Sequence, residues 1–102
     1  MSELLKEDKF TIKLDKEYTL SPVNWNVWAG LENEFDRGLQ GAIEQLKSKP
    51  INTTISLIYV FLKSNYPDIT KEKIGALVNL SNEKAVGDTL GEYLKEVANG
   101  IK

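Results

Sequence analysis

Three groupings of side chains in this sequence could do chemistry. They are Glu32, Asp36 and Arg37 in one amphipathic segment, the Glu92–Glu96 pair four residues apart, and the "GLQG" stretch at Gly38–Gly41. Two neighbouring carboxylates act as general acid and base when their surroundings split their proton affinities. A glycine-rich loop cradles phosphate when its backbone N–H groups converge on it. None of the three carries the rest of its pattern. Charged residues at helical spacing on an outward face ordinarily serve solvation. "GLQG" lacks both the Lys-Ser/Thr ending of a phosphate loop and the GxGxxG spacing, so it reads as a break between two helices. The chain has no Cys and no His, which excludes a Cys/His zinc site and a Cys or His nucleophile–base pair. No stretch spaces Asp, Asn and Gly as a calcium loop does. The expectation is a protein that is not an enzyme and carries no cofactor or metal.

What remains for function is contact. "SPVNWNVWAG" at Ser21–Gly30 holds both tryptophans of the chain, Trp25 and Trp28. Exposed tryptophan is a favoured interface anchor, yet tryptophan is highly buried on average. On a helix through this stretch, Val23, Val27, Leu31 and Phe35 recur every four residues as the buried stripe. Trp28 lies at the edge of that stripe. Trp25 falls roughly 150° from its centre at about 100° per residue. It is either covered by the preceding hairpin or left for a partner, and cover is the favoured reading. Trp25, Trp28, Tyr18 and Tyr66 are the partner-contact candidates, the two tyrosines being equally readable as half-buried core edge.

The elements that must position these residues follow from the pattern. Residues 1–8 are polar and expected to be frayed. In "KFTIKL", Lys9–Leu14, Phe10, Ile12 and Leu14 alternate with polar residues as in a half-buried strand. Asp15-Lys16 turns the chain, and Glu17–Leu20 returns with Tyr18 and Leu20 on one face. A lone hairpin is marginal in water, so this one must pack on helices or on another chain. Ser21-Pro22 reads as a helix start, with Ser21 as cap and Gly38 as the left-handed stop beyond Arg37. A second helix runs from Leu39 to about Lys47, ended by Pro50. Asn52 or Thr53 then caps a helix to about Ser64. Its residues Ile55, Leu57, Ile58, Tyr59, Val60, Phe61 and Leu62 are apolar nearly all round, which makes it central. Thr70 caps a short helix marked by Ile74, Leu77 and Val78. Ser81 caps the last, to about Ala98, with Asn99-Gly100 as its stop. Val86, Leu90, Tyr93, Leu94, Val97 and Ile101 form its buried stripe, and Gly87 and Gly91 would permit a close helix crossing. The fold class is α+β, mostly helical: one domain over residues 1–102, with a hairpin at 9–20 and about five helices over 21–99.

Bulk numbers fit this. A chain of 102 residues with 41% apolar and 27% charged residues suits one domain with one core. A formal net charge of -2 offers no strong field for nucleic acid or an anionic membrane. "MSELLKEDKF" lacks the apolar run of a signal peptide, and "ISLIYVFL" is too short to span a bilayer. The reading is a soluble protein of the cytoplasm.

"ITKEKIGALVNLSNEKAVGDTLGEYL" resembles a DNA-binding helix-turn-helix at Thr70, Ile74, Gly75, Leu77, Leu80, Ser81, Val86 and Leu90. Against it, the turn is one residue too long and Asn79 stands where glycine is usual. The would-be recognition helix also sets Glu83, Asp88, Glu92 and Glu96 against only Lys84 and Lys95, so the electrostatic attraction to phosphate is missing.

The order of elements carries a different resemblance. A short hairpin, "KFTIKLDKEYTL", leads into "LENEFDRGLQGAIEQL", then a buried helix, then "YPDITKEKIGALVNLSNEKAVGDTLGEYLKEV". Over residues 9–98 this resembles the small tail assembly chaperones of long-tailed bacteriophages and prophages. It does so at Leu31-Glu32, at the Gly38-Leu39 junction and at the "P-x-I-T-x-E" stretch of Pro67–Glu72. The resemblance implies a non-enzymatic role in the cytoplasm of a bacterial host. The partner would be the aggregation-prone, helical tape measure protein, with self-association into a homo-oligomer. It also implies, in many members, a longer form made by frameshifting. A small helix-turn-helix regulator is the alternative, followed by another phage inhibitor that binds a protein target.

Overall fold

Alternation makes the hairpin. The computed structural model describes residues 10–99; the expected fraying of residues 1–8, Lys9, and the expected roles of Gly100 and Ile101 lie outside that range. Strands β1 (Thr11–Lys13) and β2 (Glu17–Thr19) pair antiparallel, with Thr11 opposite Thr19, Ile12 opposite Tyr18 and Lys13 opposite Glu17. Ile12, Leu14, Tyr18 and Leu20 all face inward and are buried. The turn is closed by the Leu14 N–H donating to the Lys16 carbonyl at 2.9 Å.

Five helices follow: α1 (Trp25–Glu34), α2 (Gly38–Ser48), α3 (Pro50–Leu62), α4 (Lys71–Leu77) and α5 (Glu83–Asn99). The chain is α+β and mostly helical, as the periodicities require. Helix α3, apolar nearly all round, is the central element: Leu57, Ile58, Val60, Phe61 and Leu62 are buried, and α1, α2 and α4 pack around it. The hairpin lies against α5 at one end.

Several helix boundaries differ from expectation, each for a local reason. Helix α1 starts at Trp25, not at Ser21-Pro22, because Asn24 caps it. The Asn24 side chain accepts from the N–H groups of Asn26 at 3.0 Å and Val27 at 3.3 Å. Ser21 is instead a buried junction whose N–H donates to the Phe61 carbonyl at 2.8 Å and whose carbonyl accepts from the Tyr93 hydroxyl at 2.6 Å. At the other end α1 stops at Glu34, and both Arg37 and Gly38 adopt left-handed φ, 69° and 60°. Gly38 therefore opens α2 instead of closing α1. Gly41 is needed at this bend, since a Cβ there would overlap the Asp36 carbonyl.

Helix α3 begins at Pro50 itself, where proline's fixed φ and missing N–H suit the first position. Neither Asn52 nor Thr53 caps it. Thr53 is buried inside the helix, and its hydroxyl donates to Gln45 Oε1 at 3.3 Å. The helix ends at Leu62, short of Ser64. Thr70 does cap α4, accepting from the Lys73 N–H at 3.1 Å. Ser81 does not cap α5: the helix begins at Glu83, and Ser81 sits in the preceding turn, its hydroxyl donating to Asn79 Oδ1 at 2.6 Å. Val86, Leu90, Tyr93 and Val97 form the buried stripe of α5, with Leu94 half-buried. Among the described residues nothing lies within 4 Å of a Cβ built at Gly87 or Gly91, so the expected close crossing is not made there.

Candidate functional site

The groupings that could do chemistry are not assembled into a cleft. Glu32, Asp36 and Arg37 lie exposed around the α1–α2 bend, and Arg37 pairs with Glu44 of α2 rather than with either carboxylate. The hollow beside them, about 360 Å³, is shallow and polar. Glu92 and Glu96 are exposed on α5, and Glu92 pairs with Lys95 at 3.8 Å. Among the described residues no three His, Cys, Asp or Glu side chains are grouped to hold a metal ion.

Two sets of titrating groups are shifted, and the fold explains both. Burial pushes Tyr93 above the ordinary tyrosine range. Its ring packs at 5.5 Å from Phe10 and 4.5 Å from Phe61. Tyr18 is raised by burial and then by the Asp15 carboxylate, while the Tyr18 hydroxyl, ahead of Lys73, lowers Asp15. The pair stands close without closing a hydrogen bond of normal geometry, so the Tyr18 hydroxyl lacks a partner among the described residues.

The contact candidates separate. Trp25 is 88% exposed at the first position of α1. This corrects the expectation that the hairpin covers it: Trp25 stands exposed, and the hairpin packs on α5. Trp28 is half-buried against the core. Tyr18 is 2% exposed and presents no contact surface. Tyr66 is half-buried and edge-on to Tyr18 at 5.0 Å; its hydroxyl accepts from the Thr19 N–H at 2.9 Å. Asn65 donates to the Thr19 carbonyl at 2.9 Å. Together Asn65 and Tyr66 occupy the outer edge of β2 as a neighbouring strand would.

An apolar concave surface lies elsewhere, between the first turns of α3, the end of α4 and the start of α5. It is an open apolar groove of about 410 Å³ walled by Ile51, Ile55, Gly75, Val78, Val86 and Gly87, with Glu83 and Lys84 at its lip. Its shape follows from the sequence. Helix α3 starts at Pro50, so its first turns extend beyond the core that buries Leu57–Leu62. Gly87 leaves the α5 wall without a side chain. Ile51 at 76% exposure and Leu80 at 88% add large apolar surface on α3 and on the α4–α5 connection. Helical periodicity passed over both. Each nonetheless leaves a trace: Ile51 stands in an otherwise polar first turn, and Leu80 is a lone apolar residue within "NLSNE".

The α4–α5 pair departs from a helix-turn-helix. Its connection is folded on itself by side chains, with Asn82 donating to the Leu77 carbonyl at 2.9 Å and the Asn79 N–H donating to Asn82 Oδ1 at 2.8 Å. Helix α5 packs mainly on β1 and, through Tyr93, on Phe61. Its outward face carries Lys84–Asp88 and Lys95–Glu92 pairs at 3.6 and 3.8 Å, which leaves little uncompensated positive charge for phosphate. Among the described residues no helix is long and apolar enough to cross a membrane. No family model, no curated protein and no solved structure matches this chain.

Proposed function

We propose that this chain is a non-enzymatic, protein-binding module that receives an apolar-faced helix of another polypeptide, in the manner of the phage tail assembly chaperones its element order resembles. The carrying observation is the open groove of α3, α4 and α5, walled in part by the exposed Ile51. At about 410 Å³ it falls within the rough range of 300–1,000 Å³ typical of binding pockets. Helical walls and an apolar lining suit side chains spaced i, i+3, i+4 along a docked helix. A tape measure protein, long, helical and aggregation-prone, is the proposed occupant. Shielding its apolar stripe until assembly is the proposed mechanism, which needs no bond made or broken. Trp25, on a different element, is a second contact point for the same partner.

The test is co-expression of the full chain with the tape measure protein expected to be encoded beside it. The expected result is a soluble complex that Gly87→Leu, which fills the groove from an open position, weakens at least tenfold, about 1.4 kcal/mol. A tape measure protein equally soluble without this chain, or a complex indifferent to Gly87→Leu and Ile51→Asp, overturns the reading. Tight, salt-sensitive binding to random duplex DNA would replace it with the regulator.

A further inference from the structure

The two edges of the hairpin are treated differently. The ladder bonds run through Phe10–Leu20 and Leu14–Lys16, where Leu20 donates to the Phe10 carbonyl at 2.8 Å and Leu14 to the Lys16 carbonyl at 2.9 Å. In an antiparallel pair such residues alternate with ones whose N–H and C=O point outward. Thr11 and Lys13 on β1, and Glu17 and Thr19 on β2, are therefore the outward-facing residues. On β2, Thr19 has both groups satisfied, by Tyr66 and Asn65. On β1, the N–H and C=O groups of Thr11 and Lys13 have no partner among the described residues, and both residues are exposed. The β2 edge is closed at Thr19 by the chain's own loop; among the described residues the β1 edge is open at both outward positions for strand addition.

We infer that the open β1 edge pairs with β1 of a second copy of this chain, antiparallel about a two-fold axis through Ile12. That register sets Thr11 opposite Lys13 of the second copy, and the reverse, so that four outward backbone groups on each strand meet their complements. The sequence is self-complementary in this register. On the outer face it places Thr11 against Lys13, with no like charges opposed. On the inner face it places Phe10 against Leu14 and Ile12 against Ile12. A one-residue shift would put this apolar set opposite the charged one, and a two-residue shift toward the turn would oppose Lys13 to Lys13, so both disfavour slippage from this register. The result is a four-stranded sheet with α5 of each copy packed on it, a more stable platform than an isolated two-stranded hairpin. No hairpin residue walls the groove, so this interface stands or falls independently of the proposed function.

Sedimentation of the full chain over a concentration series tests it. The mass should rise from that of one chain, 11.5 kDa, toward twice that value. Thr11→Pro and Lys13→Pro each remove an outward N–H while sparing the β1–β2 bonds, and each should return the monomer with unchanged far-ultraviolet circular dichroism. As a second readout, T11C/K13C in this cysteine-free chain should oxidise to a covalent dimer, while either single variant should cross-link at least tenfold more slowly. A mass fixed at one chain through about 1 mM, the weak limit of specific association, overturns the inference. So does a dimer unaffected by both proline variants, or equal cross-linking by T11C alone.

Discussion

The hairpin end of this molecule and its groove end are built from the same two helices, α3 and α5, and use them in opposite ways. At the hairpin end Phe61 and Tyr93 meet with Phe10 among side chains that are almost wholly buried, and the Tyr93 hydroxyl is tied to Ser21. At the groove end Ile51 stands out from α3, and Gly87 of α5 has empty space where a Cβ would lie. Apolar surface at the first end holds the fold together. At the second it is left over after folding. Packed and exposed apolar surface are thus separated along single helices, which lets either be altered without the other.

The largest expected contrast is between Phe61→Ala and Ile51→Ala. The first opens a cavity in the packed end and should cost about 3–5 kcal/mol, while the second should stay within about 0.5 kcal/mol. Urea unfolding of the two variants measures both, and similar losses would erase the distinction. Next is the same substitution at two glycines. Gly41→Ala forces a Cβ into the Asp36 carbonyl and should cost about 1–3 kcal/mol or more. Gly87→Ala adds a methyl group in open space on a helix and should stabilise by about 0.5–1 kcal/mol.

A smaller effect sharpens the account of the packed end. Tyr93→Phe leaves the Ser21 carbonyl without its buried donor and should cost about 1–2 kcal/mol at neutral pH. Burial also keeps the Tyr93 proton bound above the ordinary range, whereas the unfolded chain releases it near a pKa of about 10. Above that pH the unfolded chain holds fewer protons, so stability falls as pH rises. Tyr93→Phe should flatten this alkaline decline, which unfolding curves at pH 9 to 11 would show. The smallest effect is at Trp25. Trp25→Ala should change stability by less than about 0.5 kcal/mol. It should also remove most of the quencher-accessible, red-shifted tryptophan emission and leave the half-buried Trp28 signal.

Periodicity was enough for the packed end. The alternation of Phe10, Ile12 and Leu14 and the Val86–Leu90–Tyr93–Val97 stripe mark faces that the structure buries, and the all-round apolar α3 is central as such a helix must be. Capping chemistry was legible only where competition was weak. Thr70 has no rival and caps α4. Ser21 lost to Asn24 because its backbone is held by Phe61 and Tyr93, far away in sequence. Ser81 lost its role to a local turn in which its hydroxyl donates. The groove was not legible, since a surface formed by what a glycine omits leaves no pattern in the residues present. Trp25 was misjudged because average burial of a residue type says nothing about what covers one particular position.

The bond from the Tyr93 hydroxyl to the Ser21 carbonyl joins residues 72 apart. The hairpin is the first of the described elements to leave the ribosome, and the helix that latches it is the last. A chain still being translated would therefore carry its β1 edge and its inner apolar face unlatched until α5 has been made. Premature termination before Tyr93 should yield a product with an undocked hairpin, prone to proteolysis at its amino-terminal end.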